Sequence, residues 1–328
     1  MKLFKLVPDN TNIAFLRWGK GVFMVSLLLM AASVGLVATK GLNFGVDFIG
    51  GQMIRVTFEQ SREAPIADLR EKIAKLGYGE PTIQRFGQPN EVSIRMKLPD
   101  AAESDEGAAN RMTQTIVGKL KSEYADARID GVDSVSGKVS DELFRTGAVA
   151  LIAAMIAISI YIWIRFEWQF GVGAMFALVH DVTLTFGFFA LTQFEFDLNI
   201  IAALLTIVGY SLNDTVVVYD RIRENLMKYR KMEIAALLDL SVNETLSRTV
   251  MTSLSILMVL FALLLLGPAP IFGFTAAMTL GIFVGTYSSI YMAGPILIWL
   301  KVTSNSFVPE GEIGEKGGLP GKSKNEGR

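Results

Sequence analysis

The sequence predicts an α-helical membrane bundle of six transmembrane helices, with a small α+β domain inserted between the first and second helices. Three observations carry this prediction. Hydrophobic residues make up 51% of the chain and its mean hydropathy is +0.40, both high for a soluble fold. Six apolar stretches are long enough to cross a hydrocarbon core of about 30 Å, which takes roughly 17–25 helical residues. One long polar segment separates the first stretch from the second.

The predicted spans divide the chain into five parts. The spans are Gly21–Thr39, Thr146–Trp163, Gln169–Leu191, Ile200–Tyr219, Val250–Leu266 and Phe272–Leu300. The resulting parts are an N-terminal segment (1–20), a first helix (21–39), a soluble domain (40–145), helices two to six (146–300) and a tail (301–328). The tail is rich in Gly, Lys and Glu and poor in apolar residues, which predicts disorder.

Basic residues predict the orientation of these spans. The connections 192–199 and 267–271 contain no Lys or Arg, whereas the alternate connections and both terminal segments are basic. The basic positions are Lys2, Lys5, Arg17, Lys20, Arg165, Arg221, Arg223, Lys228, Arg230, Lys231, Arg248, Lys301, Lys316, Lys322, Lys324 and Arg328. Because such residues collect on the cytoplasmic side, both termini are predicted to be cytoplasmic and the soluble domain extracytoplasmic. The first span reads as an uncleaved anchor, since it lacks a small-residue cleavage site.

The soluble domain shows four alternating segments and two amphipathic ones. The strands are predicted at QMIRVTFE, TIQRFG, EVSIRMK and ARIDGVDSVSG, and the helices at PIADLREKIAKLG and AANRMTQTIVGKLKSEY. The order βαββαβ predicts a split βαβ, ferredoxin-like domain. It contains no Cys/His cluster, nucleophile elbow or phosphate loop. We therefore expect a binding or mechanical domain and no enzyme activity.

Composition excludes several classes of function. The chain has no Cys, so a disulfide framework, a thiolate nucleophile and a cysteine metal site are impossible. A single His is too few for a metal centre, and no cofactor is expected. With 31 Lys and Arg against 32 Asp and Glu, no basic excess indicates nucleic-acid binding.

Three polar residues of the fourth and fifth spans are candidates for proton transfer. Asn213 and Asp214 lie in GYSLNDTVVVYDRIREN, and Arg248 lies in ETLSRTVMTSLS at the same predicted depth. An ionisable side chain at the bilayer centre costs at least about 2.5–3.5 kcal/mol, so each needs a partner or a purpose. A static Asp214–Arg248 ion pair is the structural alternative. We favour a relay in which Asp214 loads and releases a proton beside a mobile Arg248.

His180 and Asp181 form a second candidate pair, in ALVHDVTL of the third span. A local hydrogen bond or a contact between spans explains them as well as a place in a proton path does. Small residues in the last span are interpreted as a packing stripe rather than a substrate path. These are Gly281, Gly285, Ser288, Ser289 and Gly294. The segment EIAALLDLSVNETLSR is amphipathic and is predicted to form a helix on the cytoplasmic face.

One carboxylate stands among glycines in GLNFGVDFIGG, directly after the first span. Asp47 is predicted at the membrane boundary, where water is available. Gly45, Gly50 and Gly51 allow the backbone to turn from a helix into the first strand. A cap or hinge is therefore expected here rather than catalysis.

Five motifs, in order and at family spacing, closely resemble the SecF members of the SecD/SecF protein-translocase family. They are FGVDFIGG, RFEWQF, ALVHDV, GYSLNDTVVVYDRIREN and ETLSRTVMTS. The resemblance covers about 20–300. It implies half of a twelve-span unit related to RND transporters, with SecD as the other half, in the bacterial cytoplasmic membrane. It also implies use of the proton-motive force to complete export of unfolded preproteins through SecYEG after SecA-driven insertion, with Asp214 and Arg248 as the proton-linked residues.

Two other functions stay open on the sequence alone. An RND-type exporter of lipids or small molecules would share the intramembrane acid but should show two related halves. Only one half is present here. A passive scaffold of the translocon would use Asp214 and Arg248 for packing alone.

Overall fold

The computed structural model describes residues 8, 11–86, 88–97 and 106–302. Within that part of the chain, six helical segments are long and apolar enough to cross a membrane, which confirms the predicted number. They are α1 (Phe15–Lys40), α5 (Gly137–Arg165), α6 (Trp168–Thr192), α7 (Leu198–Lys228), α8 (Ile234–Leu266) and the pair α9 (Phe272–Tyr291) and α10 (Ala293–Trp299). The tail predicted to be disordered lies outside the described residues from 303 onwards.

The helices continue beyond the spans that hydropathy marks. The amphipathic segment predicted as a separate surface helix is the first half of α8, which runs unbroken from Ile234 to Leu266. This stretch contains neither Gly nor Pro, so nothing in it favours a break. The last span instead divides at Met292, because Pro295 has no N–H to donate to the carbonyl of Tyr291.

In the membrane-spanning part, α7 is the central helix. It lies against α9, α8, α6 and α5, while α1 packs on α6 and α9. Glycines permit the closest approaches. A Cβ on Gly281 of α9 would stand 2.4 Å from the Ile207 side chain of α7, and one on Gly187 of α6 would stand 2.0 Å from Ser33 Oγ of α1. The predicted packing role of Gly281 agrees with this contact.

A four-stranded antiparallel sheet lies between α1 and α5. Its strands are β1 (Gly51–Phe58), β2 (Thr82–Phe86), β3 (Gln88–Met96) and β4 (Ala127–Val135), in the spatial order β2-β3-β1-β4. The helices α3 (Ile66–Ala74) and α4 (Glu106–Glu123) complete the predicted order βαββαβ. We call this unit the βαββαβ domain.

The sheet has two different faces. Ile54, Val56 and Phe58 lie on one face and form a core with Leu69 of α3 and Ile116 of α4. Alternate residues point to the opposite face of a strand. That opposite face carries polar residues and lies over the ends of the membrane helices; its members include Met53, Arg55, Gln84, Ser93 and Arg95.

A short segment joins α1 to this sheet. It contains a single helical turn, α2 (Val46–Ile49), and it meets the α6–α7 connection (193–197). The amide of Gly45 donates to the carbonyl of Phe196 at 2.9 Å, and the amide of Phe196 donates to the carbonyl of Asn43 at 2.8 Å. The helix ends next to this contact are called the domain end of the membrane part.

Candidate functional site in the membrane-spanning helices

Asp214 is buried where α7, α8 and α9 meet. Thr249 of α8 donates its hydroxyl to Asp214 Oδ1 at 2.6 Å, and Ser289 of α9 donates to Asp214 Oδ2 at 2.7 Å. The residue is 7% exposed. Both carboxylate oxygens are thus satisfied by hydroxyls from two neighbouring helices, which offsets part of the cost of burying the group.

The hydroxyl of Ser289 has a second acceptor within reach. Its oxygen lies 3.1 Å from the carbonyl oxygen of Thr286, one turn earlier on α9. A hydroxyl carries one hydrogen, so Ser289 can donate to Asp214 or to Thr286 but not fully to both. Protonation of Asp214 can therefore be accommodated by rotation of one hydroxyl.

Arg248 lies directly before Thr249 on α8 and is exposed. Among the described residues it forms no ion pair with Asp214 within 4.0 Å, so the static pair kept as an alternative is absent from this arrangement. Thr249 provides the contact to Asp214 instead. Asn213 is also exposed and lies next to Asp214 on α7.

A second buried carboxylate, Asp181 of α6, lies close to the first. His180 Nδ1 is 2.9 Å from Asp181 Oδ1, while Ser211 and Ser288 donate to Asp181 Oδ2 at 2.5 and 2.9 Å. His180 and Asp181 are both 0% exposed. The hydrogen bond between the two neighbours that the sequence allowed is therefore present, and it is part of a larger network.

This network reaches the first span. The His180 ring nitrogen Nε2 is 3.2 Å from the hydroxyl of Tyr287 on α9, and Ser26 of α1 donates to Tyr287 at 3.5 Å. A Cβ on Gly285 would lie 3.2 Å from the Ser211 side chain and 3.6 Å from Asp181 Oδ2. Glycine at this position is what lets α9 approach both groups.

Sequence reasoning missed the part that α9 plays in the site. It interpreted Ser288 and Ser289 as members of a packing stripe, whereas their hydroxyls bind Asp181 and Asp214 respectively. A usable signal was present: two adjacent serines stand in a span without charged residues, where an unsatisfied hydroxyl is costly. A further hydroxyl chain, Tyr210–Ser253–Thr286 with both distances 2.8 Å, extends from this site toward the domain end.

Asp47 lies at the domain end, far along the chain from these groups but tied to α7. Its Oδ2 accepts from the amide of Leu198, the first residue of α7, at 2.9 Å. Gly50 and Gly51 have φ of 68° and 113°, and a Cβ on Gly51 would lie 2.4 Å from the carbonyl oxygen of Met96. Gly45 packs on Glu195, whose Oε1 would be 2.9 Å from an added Cβ. The cap and hinge roles of these positions stay predictions, beside the observed hydrogen bond of Asp47 to the start of α7 and the positive φ of Gly50 and Gly51.

No group of three or more His, Cys, Asp or Glu side chains suited to a metal ion occurs in the described part of the chain.

Residues 115–303 match the family model of the protein export membrane protein SecD/SecF, C-terminal, and residues 35–61 match the SecD/SecF GG motif. The chain is 42% identical to a protein translocase subunit SecF of Vibrio alginolyticus over 94% of this chain and 96% of that one. It is 44% identical to the SecF of Rhodobacter capsulatus over 92% of each chain. The crystal structure of SecDF, a translocon-associated membrane protein from Thermus thermophilus, superposes with a TM-score of 0.80 at 35% identity, over 89% of this chain and 39% of that one.

Proposed function

This chain belongs to the SecD/SecF family of protein export membrane proteins, and from that premise we propose that it is a SecF-type subunit that uses the proton-motive force in export. Acting with SecD at the SecYEG channel, it helps unfolded preproteins complete their passage after SecA-driven insertion. It is surrounded by membrane lipid and takes no nucleic acid. The βαββαβ domain faces the extracytoplasmic side and both termini the cytoplasm.

The observation that carries this proposal is the carboxylate of Asp214 between two hydroxyl donors from different helices. The ionised form accepts from Thr249 and Ser289. The protonated form has an O–H of its own, and Ser289 can then turn to the carbonyl of Thr286. Loading one proton therefore changes the contacts that join α7 to α8 and α9.

The driving force is sufficient for such a change. One charge that crosses the membrane releases about 2.3 kcal/mol per 100 mV. Since about 1.4 kcal/mol corresponds to a tenfold change in an equilibrium, one proton at that potential shifts a two-state arrangement by about fifty-fold.

Arg248 takes part in the other half of the cycle. It is exposed and directly precedes Thr249, which binds Asp214, so a movement of α8 that displaces Thr249 also changes the position of the Arg248 charge relative to Asp214. A cation close to the carboxylate favours loss of the proton. Asn213, His180 and Asp181 are proposed as supporting members of the proton path, with Asp181 joined to Asp214 through α9.

The proposed partner covers a surface of α7 and α8. This surface carries exposed Asn213 and Arg248 within segments that otherwise match the apolar bilayer. The exposed hydroxyls of Thr206, Thr252 and Ser255 beside them donate to carbonyls of their own helices. Polar groups facing lipid are costly. A SecD subunit is the proposed occupant, and the superposed SecDF chain, of which this chain covers 39%, has the additional length that such a subunit needs.

The test is export in energised inner-membrane vesicles that carry the chain together with its SecD partner. Asp214→Asn is expected to abolish the part of the export rate that depends on the proton-motive force, and Arg248→Met to do the same. The matched control is Asp220→Asn, which removes an exposed carboxylate of the same helix, paired with Arg165 at 2.7 Å. Export at the wild-type rate by both variants would favour the scaffold, and normal preprotein export with loss of lipid or drug efflux would favour the RND-type exporter.

A further inference from the structure

A buried arginine is among the contacts between the βαββαβ domain and the membrane part, beside the hydrogen bonds of Asn43 to Gln84 and to the carbonyl of Gln193. Arg95 lies on the polar face of β3 and is 5% exposed. Its Nη1 donates to the carbonyl of Phe44 at 2.5 Å, and its Nη2 donates to Asn43 Oδ1 at 2.7 Å and to Gln84 Oε1 at 2.9 Å. The guanidinium thus binds the segment that leads from α1 into the sheet.

Glu195 lies across the same contact, on the connection between α6 and α7. Its side chain is 16% exposed, and Oε1 is 4.0 Å from Arg95 Nη1. Glu195 Oε1 is buried without a hydrogen-bond partner, and so is Arg95 Nε. Buried polar groups in proteins are normally hydrogen-bonded, so an unsatisfied atom on each of these two neighbouring side chains needs a physical explanation.

A cavity of about 320 Å³ lies beside this gap. It is lined by Glu195, by Arg55 and Gln84 of the sheet, and by Phe272 of α9. The cavity gives the Glu195 carboxyl room to move and access to water.

We propose that Arg95 is a positioning residue that can bind either of two sets of acceptors. The set that it binds determines the position of the βαββαβ domain on the α6–α7 connection. In the arrangement described above, Arg95 binds the Phe44 carbonyl and Asn43. In the second arrangement the guanidinium binds the carboxylate of Glu195 directly and releases the segment around Asn43 and Phe44. The second arrangement satisfies the two atoms that the first leaves without partners.

The charge of Glu195 determines which of the two arrangements is favoured. Burial raises the pKa of Glu195 above its ordinary value, Arg95 opposes this, and Asp197 adds to it. The charged groups that face Glu195 are Arg95 of β3, Arg55 of β1, Asp47 of α2 and Asp197 of its own connection. A raised pKa means that the first arrangement binds the proton better, so it is favoured at low pH and lost as pH rises through that pKa.

This inference rests on the proposed function for its biological meaning. The α6–α7 connection joins the helices that carry Asp181 and Asp214, so a change in how those helices pack reaches Arg95 and Glu195 directly. Arg95 would pass that change to the βαββαβ domain.

The test is hydrogen exchange of the segment 41–50 in the full chain with its partner in lipid nanodiscs, comparing variants at the same pH. Glu195→Gln holds the neutral form, so its segment should exchange more slowly than wild type at pH 8, and the difference should shrink toward pH 5. Arg95→Lys loses the fork that binds two acceptors at once, and should exchange faster at both values. Glu59→Gln removes an exposed carboxylate of the same domain, paired with Arg128, and should behave as wild type.

The direction of the change in exchange rate in Glu195→Gln distinguishes this proposal from a purely structural role of Glu195. If Glu195 only held the contact together, Glu195→Gln would speed exchange, and that result would overturn the proposal. Equal exchange of Glu195→Gln and wild type at pH 8 would overturn it as well. Because the measurement needs no export, its outcome is independent of whether Asp214→Asn still exports.

Discussion

Ser288 and Ser289 are consecutive residues of α9, and their hydroxyls donate to two different buried carboxylates, Asp181 on α6 and Asp214 on α7. Each serine also has a carbonyl of its own helix within reach, Gly285 for Ser288 and Thr286 for Ser289. One turn of α9 therefore contacts both buried carboxylates, and its hydrogen bonds depend on the protonation of each.

Loss of one of these donors should weaken the packing of α9 on α7. Ser289→Ala leaves Asp214 Oδ2 without a donor, which costs about 1–3 kcal/mol in a buried site. Equilibrium unfolding in mixed micelles measures this loss. Ser255→Ala is the control, because that exposed hydroxyl donates only to the Met251 carbonyl of its own helix, and it should stay within about 0.5 kcal/mol of wild type.

The close approach at Gly285 should not tolerate a larger side chain. Gly285→Val places methyl groups against Ser211 and Asp181, so we expect a loss of about 1–3 kcal/mol together with lower proton-dependent export. Gly209→Val makes the same change on α7 where nothing lies within 4 Å of an added Cβ. Similar losses in the two variants would show that helix propensity, and not contact at the site, explains the effect.

Asp47 should act as an acceptor and not as an acid. Asp47→Ala removes the group that binds the amide of Leu198, and helix caps of this kind contribute about 0.5–2 kcal/mol. Asp47→Asn keeps an acceptor oxygen and should retain most of that stability and near-normal export. A complete loss of export in Asp47→Asn, with the protein still folded, would assign a charge-dependent role to this residue.

The βαββαβ domain should lose one contribution to its stability in acid. Tyr124 and Lys72 donate to Asp68, and these hydrogen bonds hold the pKa of Asp68 below its ordinary value of 3.8. A lowered pKa gives stability that is present above the ordinary value and is lost as pH falls through the lowered one. Thermal unfolding should therefore separate wild type from Asp68→Asn at pH 7, and the difference should shrink as pH falls below 3.8. A difference that grows in acid would contradict this assignment.

Hydropathy predicted the six spans and period-two alternation predicted the strands, because both patterns are local. Hydropathy is high only in the second half of α8, so it did not predict that this helix begins at Ile234 and runs unbroken. Asp214 was found because a carboxylate in an apolar span is conspicuous. Its partners are on other helices, and no local pattern reveals which face of α9 meets α7.

Arg95 and Glu195 went unnoticed for a related reason. Both lie in polar segments, where a charge is ordinary, and the contact between them joins positions one hundred residues apart. Only the fold shows that they are buried together.

The central claim is that Asp214 binds and releases a proton, and a pH-induced infrared difference spectrum of the complex in lipid tests it most directly. On acidification, we expect wild type to gain a protonated-carboxyl band that Asp214→Asn lacks and that Asp220→Asn retains. Ser289→Ala should shift the frequency of this band, because Ser289 binds the Asp214 carboxyl. Identical difference spectra for wild type and Asp214→Asn across the pH range of export would contradict the claim.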